Sequence, residues 1–395
     1  MRNGSAEERQ VVDWLASQQG AMVELLADLV NTDSGSYDKQ GVDAAGEVLK
    51  RFYGGQGLPV EAIPQCQYGD QFKAFLDHPS SNDRRPIILM GHRDTVFPKG
   101  EPARRPFRVE NGRAFGPGVC DMKAGLVMNA FVLAALKRFG GHPGPVLALV
   151  TSDEEIASPS SRPVIEAAAR AARAVFNAEP SRLGHKITSG RKGGVFCRCD
   201  VTGKAAHSGA NYEQGVSAIE ELARKIPQFH KVTDLDRGTT VNIGLIGGGQ
   251  TVNTVAPSAW CEIDLRYVKV GDRNEAIEAV RKIAETCSVR GATSRFTIKG
   301  EFLPLEQTPQ AKALFTLYHS AAADVGFEVG AEFTGGCADS GFTAAQGCPT
   351  LCSVGPVGGK AHTPEEFLEV GTMVPCAQAL ALSVMRLREG VLPPG

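Results

Sequence analysis

Two short runs of unbroken apolar residues, Pro86 to Met90 (PIILM) and Val146 to Val150 (VLALV), constrain this chain more than any other feature. Runs of this length without polar alternation read as strands covered on both faces, the pattern of a parallel sheet. Helical segments surround them at Val11 to Val30, Ala44 to Tyr53, about Met122 to Arg138 and after Pro163, with a third strand at Ala174 to Phe176. This alternation predicts an α/β fold on an open, mostly parallel sheet.

Near Gly190 the pattern changes. GGVFCRCDVTG reads as a strand, GVSAIEELARKIPQF as a helix, TTVNIGLIGGG and SAWCEIDLRY as two strands, NEAIEAVRKIAETC as a helix and SRFTIKG as a last strand. The order βαββαβ is that of a ferredoxin-like layer. After Thr308 the first pattern resumes, with a helix near Ala313 to Val325, a strand at Thr350 to Val354 and a helix from about Gly371 to Leu387. The expected organisation is a discontinuous α/β domain, 1–189 and 303–395, with a smaller domain, 190–302, inserted into it. A chain of 395 residues is long enough for two cores.

Charge and cysteine use narrow the partners. Lys+Arg number 42 against 44 Asp+Glu, with no basic block, so nothing favours nucleic acid or an acidic membrane. A small-molecule or short peptide substrate is expected instead. No apolar segment follows the charged first residues, and stretches such as Phe131 to Leu136 are shorter than a membrane span, which leads to the expectation of a soluble, cytoplasmic protein. The ten cysteines include no C-x-x-C pair. Cys197 and Cys199 share one strand face and read as buried thiols before they read as metal ligands. No G-x-S-x-G elbow occurs, which argues against a nucleophilic serine hydrolase.

Four groups of acids and imidazoles follow predicted strands, at the carboxyl ends where open α/β sheets bind ligands. In Gly91-His92-Arg93-Asp94, residues two apart point the same way, so His92 can meet a metal while Asp94 orients its ring. Read alone, the two form an ordinary surface pair. Asp121 in GPGVCDMKAG stands where a helix begins, and read alone it is an N-cap. The loop is not a dinucleotide fingerprint, because Asp121 occupies the place of the third glycine. Asp153-Glu154-Glu155 follows VLALV, and three acids beside an apolar strand need cations or donors. Adjacent side chains diverge, so one of Glu154 and Glu155 can face a metal while the other acts as general base. Glu179 and His362, in NAEPS and GKAHT, complete a set of two imidazoles and at least three carboxylates. This mix suits zinc, with cobalt or manganese as substitutes, and a carboxylate shared by two ions resolves the ligand count.

GHRDTV, GPGVCDMKAG, TSDEE, NAEPS and GKAHT, in this order around an insert that contains GKAAHSG, resemble the M20 family of dinuclear zinc peptidases. The nearest likeness is to its glutamate carboxypeptidase (carboxypeptidase G2-like) branch. The resemblance implies two zinc ions per chain, with His92 and Glu179 on one, Glu155 and His362 on the other, and Asp121 as the bridge. It implies that Asp94 orients His92 and that Glu154 is the general base, taking a proton from the metal-bridging water and later delivering it to the leaving amine. In the inserted lid and dimerisation domain it implies that His207 serves the partner subunit's site in a homodimer and that Asn253 and Arg266 help hold substrate, with Gly335 and Gly336 of the larger domain lining the substrate's carboxylate site. Lys186, with Arg191 and Lys192, forms a basic stretch that motivates an acidic leaving residue. Cys120 and Cys337 depart from the usual pattern, the second in a loop that bears on substrate choice. The expected activity is metal-dependent hydrolysis of an amide or peptide bond next to a C-terminal, glutamate-like residue. An N-acyl amino acid deacylase (deacetylase or desuccinylase) and a catalytically silent binding protein on this scaffold are the alternatives.

Overall fold

Ile87–His92 is buried along its whole length between two parallel neighbours, Val146–Thr151 and Ala174–Asn177. The computed structural model describes residues 4–78 and 81–393. Thr350–Cys352 lies parallel beside Ala174–Asn177, so the four central strands of the eight-stranded sheet run one way. The flanks are antiparallel. Gln71–Leu76 pairs with Val146–Thr151 and carries Val60–Ile63 outside it, while Lys186–Arg191 pairs with Thr350–Cys352. The parallel core matches the apolar runs of the sequence. The strands Val60–Ile63 and Gln71–Leu76 fall where no element was read, because neither VEAI, with no buried residue, nor QFKAFL, with Lys73 in its middle, is an unbroken apolar run.

Among the described residues one helical span, Val119–Phe139, is long and apolar enough to cross a membrane by length and composition. It is longer than the apolar stretches read from sequence, yet 94% of its apolar window is buried inside the fold. Its apolar character reflects packing on several sides, including the equally buried helix Met373–Arg386.

A second, five-stranded sheet ties together the loops that leave the large one. Its order is Arg108–Glu110, Arg113–Phe115, Phe367–Glu369, Gly355–Gly359 and Pro180–Ser181. Three pieces of chain are thereby fixed: the loop after Phe115, the turn between Gly359 and Phe367, and Glu179, which immediately precedes Pro180. Strands of two to five residues leave no periodicity, and the sequence does not reveal this sheet.

The chain divides into two compact units, the first made of the described residues up to Gly190 with Gln307–Phe333 and those from Phe342 onward. The second comprises Arg191–Glu306 and Thr334–Gly341. It therefore includes the Gly335-Gly336 loop, which the sequence reading placed with the larger domain. The reason is local: Arg191 Nη1 donates to Cys337 O at 2.8 Å and Arg266 Nη1 to Cys337 Sγ at 2.7 Å. The sheet of this unit is fully antiparallel, in the order Thr240–Gly248, Ser258–Tyr267, Gly193–Thr202, Thr293–Phe302. With helices Ala218–His230 and Val270–Glu285 it forms the ferredoxin-like βαββαβ layer. Cys197 and Cys199 lie in its core beside Leu222, Ile263 and Val280, as buried thiols should.

The helix Ala124–Phe139 meets the end of Ala174–Asn177 with no room for a side chain: a Cβ on Gly125 would lie 2.0 Å from the Ala178 carbonyl oxygen. Gly125→Ala should therefore destabilise the larger unit by about 1–3 kcal/mol, the usual cost of overpacking. Removing a helical glycine ordinarily gains roughly 0.5–1 kcal/mol. Urea unfolding followed by Trp14 fluorescence in a Trp260→Phe background reads the sign, and a gain in stability would contradict the close approach.

Candidate active site

His92 ends its strand level with Thr151, and Met90 is level with Asn177, so the acids just past Thr151 and Asn177 leave the sheet at the same edge. Alternation turns His92 and Asp94 to one side and Arg93 to the other. Arg93 is buried among carbonyls, donating from Nε to Val42 O at 2.8 Å and from Nη1 to Thr151 O at 3.1 Å. His92 Nδ1 lies 3.1 Å from the Asp94 carbonyl oxygen and 3.4 Å from its Oδ1. This contact suits a proton on Nδ1, so that once Nε2 gives up its own proton its lone pair is free for a metal. Asp94 also holds the next turn: its Oδ1 accepts the Glu154 N–H and its Oδ2 the Glu155 N–H, each at 3.1 Å. Ser36 Oγ donates to the same carboxylate at 2.7 Å.

The three successive acids separate. Asp153 knots the turn, its Oδ2 accepting from Ser160 N at 2.6 Å and Oγ at 2.7 Å and its Oδ1 from Ser161 N at 3.2 Å. Glu155 Oε2 lies 3.1 Å from His362 Nε2, whereas Glu154 Oε2 lies 3.9 Å from His92 Nε2. Asp121 stands between the two imidazoles, with Oδ1 3.3 Å from His92 Nε2 and Oδ2 3.3 Å from His362 Nε2. Glu179 Oε1 is 3.7 Å from His92 Nε2. Two donor sets result, His92–Asp121–Glu179 and Asp121–Glu155–His362, each with its ligand atoms within 4.8 Å of one another. Asp121 belongs to both and Glu154 to neither.

Asp121 is not the N-cap its position suggested. The helix starts at Ala124 after Lys123, and Asp121 has φ −112° and ψ 93°. His362 adopts φ 64°, a left-handed conformation rare for a non-glycine and typical of functional turns.

The charges call for a cation. Among the described residues His92 Nε2, which is buried, finds no hydrogen-bond partner, a rare state for such an atom. Burial alone would depress its basicity, yet Asp121, Asp94, Glu154 and Glu179 lift it well above the usual imidazole range. Hydrogen bonds to Asp121 and Glu155 push His362 up to about 10. Burial and the neighbouring Asp121 charge push Glu155 up to about 7. Burial works against ionisation of Asp121 too, but the two imidazoles hold it well below the ordinary carboxylate range. Two imidazoles and three carboxylates in this arrangement fit two divalent ions sharing Asp121.

The remaining expected residues are found as follows. In the second unit, His207 is exposed, and its Nδ1 accepts the N–H groups of Gly209 and Ala210 at 3.2 Å. That fixes the proton on Nε2 and leaves an outward donor. Asn253 is on the neighbouring segment, its carbonyl oxygen accepting the Ser208 N–H at 3.0 Å. Arg266 is fastened to Asp264 at 2.7 and 3.1 Å. Lys192 Nζ and Arg191 Nη1 donate to the carbonyls of Gly238 and Cys337 at 2.6 and 2.8 Å, so neither is a bare surface cation. In the first unit, Lys186 is exposed at the start of its strand. Sequence reasoning missed Ser36, the knotting role of Asp153, and Glu366, which is fully buried.

A parallel sheet whose strand ends gather such donor sets defines a metal-dependent hydrolase. The chain matches peptidase family M20/M25/M40 over residues 88–386 and belongs to that family. Carboxypeptidase G2 of Pseudomonas sp. (strain RS-16) is 28% identical over 382 residues, covering 94% of this chain and 91% of that protein. Succinyl-diaminopimelate desuccinylase of Acidiphilium cryptum (strain JF-5) is 31% identical over 353 residues, covering 84% and 90%. The structure of an M20 family metallo-carboxypeptidase from Sulfolobus solfataricus matches with a TM-score of 0.78 over 92% of this chain and 98% of its own, at 16% identity. That likeness speaks for the fold.

Because each imidazole holds a proton at neutral pH in the absence of metal, and a ligand must give up its proton, metal affinity should rise with pH. Loading the chelator-stripped protein with a divalent ion at pH 7 should release about two protons per chain. Calorimetry in buffers of different ionisation enthalpy measures this, and uptake without proton release would contradict the electrostatics.

Proposed function

We propose that this protein is a dinuclear zinc hydrolase that cleaves an amide bond next to a free carboxylate, preferring a C-terminal acidic residue. The observation that carries this reading is the Asp121 carboxylate, with one oxygen turned to each imidazole. His92, Glu179, Glu155 and His362 would complete the two ligand sets. When bound, the two ions polarise the scissile carbonyl and bring the attacking water into the neutral pH range. Glu154 takes the proton of that water and returns it to the leaving amine. Asp94, by holding the N–H groups of both glutamates, keeps Glu154 and Glu155 pointing to their separate tasks.

The inserted unit supplies substrate contacts. Arg266 uses Nε, one Nη1 and one Nη2 hydrogen on Asp264 and Cys337, so two of its donors remain for the substrate carboxylate. Asn253, Gly335 and Gly336 assist, and Lys186 of the larger unit favours an acidic side chain. His207 offers its Nε2–H to the oxyanion in the site of a partner subunit. Supporting a homodimer, the edge strand Thr240–Gly248 exposes Leu245 (57%) and Ile246 (62%), and Ile219 on Ala218–His230 is 48% exposed. An apolar edge of this kind is suited to pairing with a second copy. The 31% identity to a desuccinylase favours one second reading, an N-acyl amino acid deacylase with the same centre.

Glu154→Gln should lower kcat by about 10²–10⁴-fold with both metals retained, while Glu155→Ala should lose metal. Assayed on a panel of N-acyl glutamates, N-acyl leucines and acetyl- or succinyl-amino acids, equal rates on glutamate and leucine would remove the acidic preference. Turnover of acetyl- or succinyl-amino acids alone would establish the deacylase reading. A mixed dimer of His207→Ala and Glu154→Ala chains should recover about half the wild-type rate, since one site then holds an intact Glu154 and an intact His207 of the partner subunit. No recovery in a verified heterodimer would place His207 in its own chain's site.

A further inference from the structure

Glu366 lies four residues past His362, on the turn that leads into Phe367–Glu369, and it is 0% exposed. Its carboxylate accepts three backbone N–H groups of the loop that carries Asp121. Gly118 donates to Oε2 at 2.9 Å, and Cys120 and Asp121 donate to Oε1 at 2.8 and 2.9 Å. These are N–H groups that the loop's own backbone bonds, Val119 N to Gly116 O and Lys123 N to Gly118 O, leave over. The buried ammonium of Lys123 donates to Thr32 O at 3.2 Å and offsets the Glu366 charge only through space. Among the described residues no cation touches this carboxylate; burying it so is costly, and converging N–H donors are what can hold it. Gly118 has φ 71°, and a Cβ there would lie 2.5 Å from Thr95 Cγ2, so the loop has little freedom to rearrange around a different side chain.

We propose that Glu366 is the positioning residue of the metal centre. By gripping the Cys120-Asp121 peptide it sets the direction of the Asp121 carboxylate. Standing on the turn of His362, it also sets the spacing between that carboxylate and the second imidazole. The inference rests on the two-metal reading given above. Because Asp121 belongs to both donor sets, disturbing Glu366 should weaken both metal sites together, whereas loss of Glu155 or Glu179 touches one set.

The test is zinc uptake by chelator-stripped protein, measured in competition with a chromophoric chelator. Glu366→Gln keeps the shape but turns an amide donor toward one of the three N–H groups. Both zinc-binding steps should weaken about 10–100-fold, the usual effect of losing a group that orients ligands. Glu366→Asp, which keeps the charge with a shorter reach, should fall between Glu366→Gln and wild type. Excess zinc should restore kcat to Glu366→Gln with KM unchanged, and should not restore Glu154→Gln. A purely structural role would instead lower the melting temperature of the metal-free protein and leave the zinc affinities as they are. Unchanged affinities in both variants, or the weakening of one step only, would overturn the proposal while wild type still binds two ions. Failure of wild type itself to take up two zinc ions would overturn the two-metal reading and this inference with it.

Discussion

The rest of the catalytic unit depends on one constraint: acids that must stay together at the end of an apolar sheet. Asp121, Glu155 and Glu179, with Glu154 close by, converge on two imidazoles, and among the described residues His92 Nε2 has no hydrogen-bond partner. Like charges at this range repel, and burial strengthens the repulsion. Without a cation the cluster is a site of stored repulsion, which the raised basicity of His92 and His362 relieves only in part. The surrounding architecture keeps the ligands from moving apart.

That restraint comes from other carboxylates, used on backbone instead of on metal. Asp94 holds the N–H groups of Glu154 and Glu155, Asp153 those of Ser160 and Ser161, and Glu366 those of Gly118, Cys120 and Asp121. Carboxylates accept several N–H donors at once, and each bond to a charged acceptor is stronger than a neutral one. The five-stranded sheet adds a mechanical restraint. It pairs the segment before the Asp121 loop with the segment after the His362 turn, through Phe115 and Phe367. It also pairs the residues just past Glu179 with Gly355–Gly359.

The inserted unit follows different rules. Its core is a single antiparallel sheet under two helices. A buried ion pair, Glu221 with Lys225 at 3.0 Å, anchors its first helix. Glu221 Oε2 also accepts the N–H groups of Ser288 and Val289, which ties that helix to the chain beyond the second one. A unit with its own core can vary its loops without disturbing the metal ligands. The Cys337 thiol beside Arg266 is one such variation.

Much of this was legible in the chain before any coordinates. The unbroken apolar runs PIILM and VLALV read as strands covered on both faces, and they place His92 and Glu154-Glu155 at strand ends. The ferredoxin-like insert follows from its period-two and helical patterns. Side-chain direction explains why two adjacent glutamates diverge. Tertiary structure alone decided the rest. Strands as short as Pro180–Ser181 exist only because a partner strand is present, so no local pattern announces them. Glu365 and Glu366 are chemically alike in sequence, yet one is exposed and the other fully buried. Which of them binds the Asp121 loop depends on chain some 245 residues away, and no local preference encodes a contact at that separation.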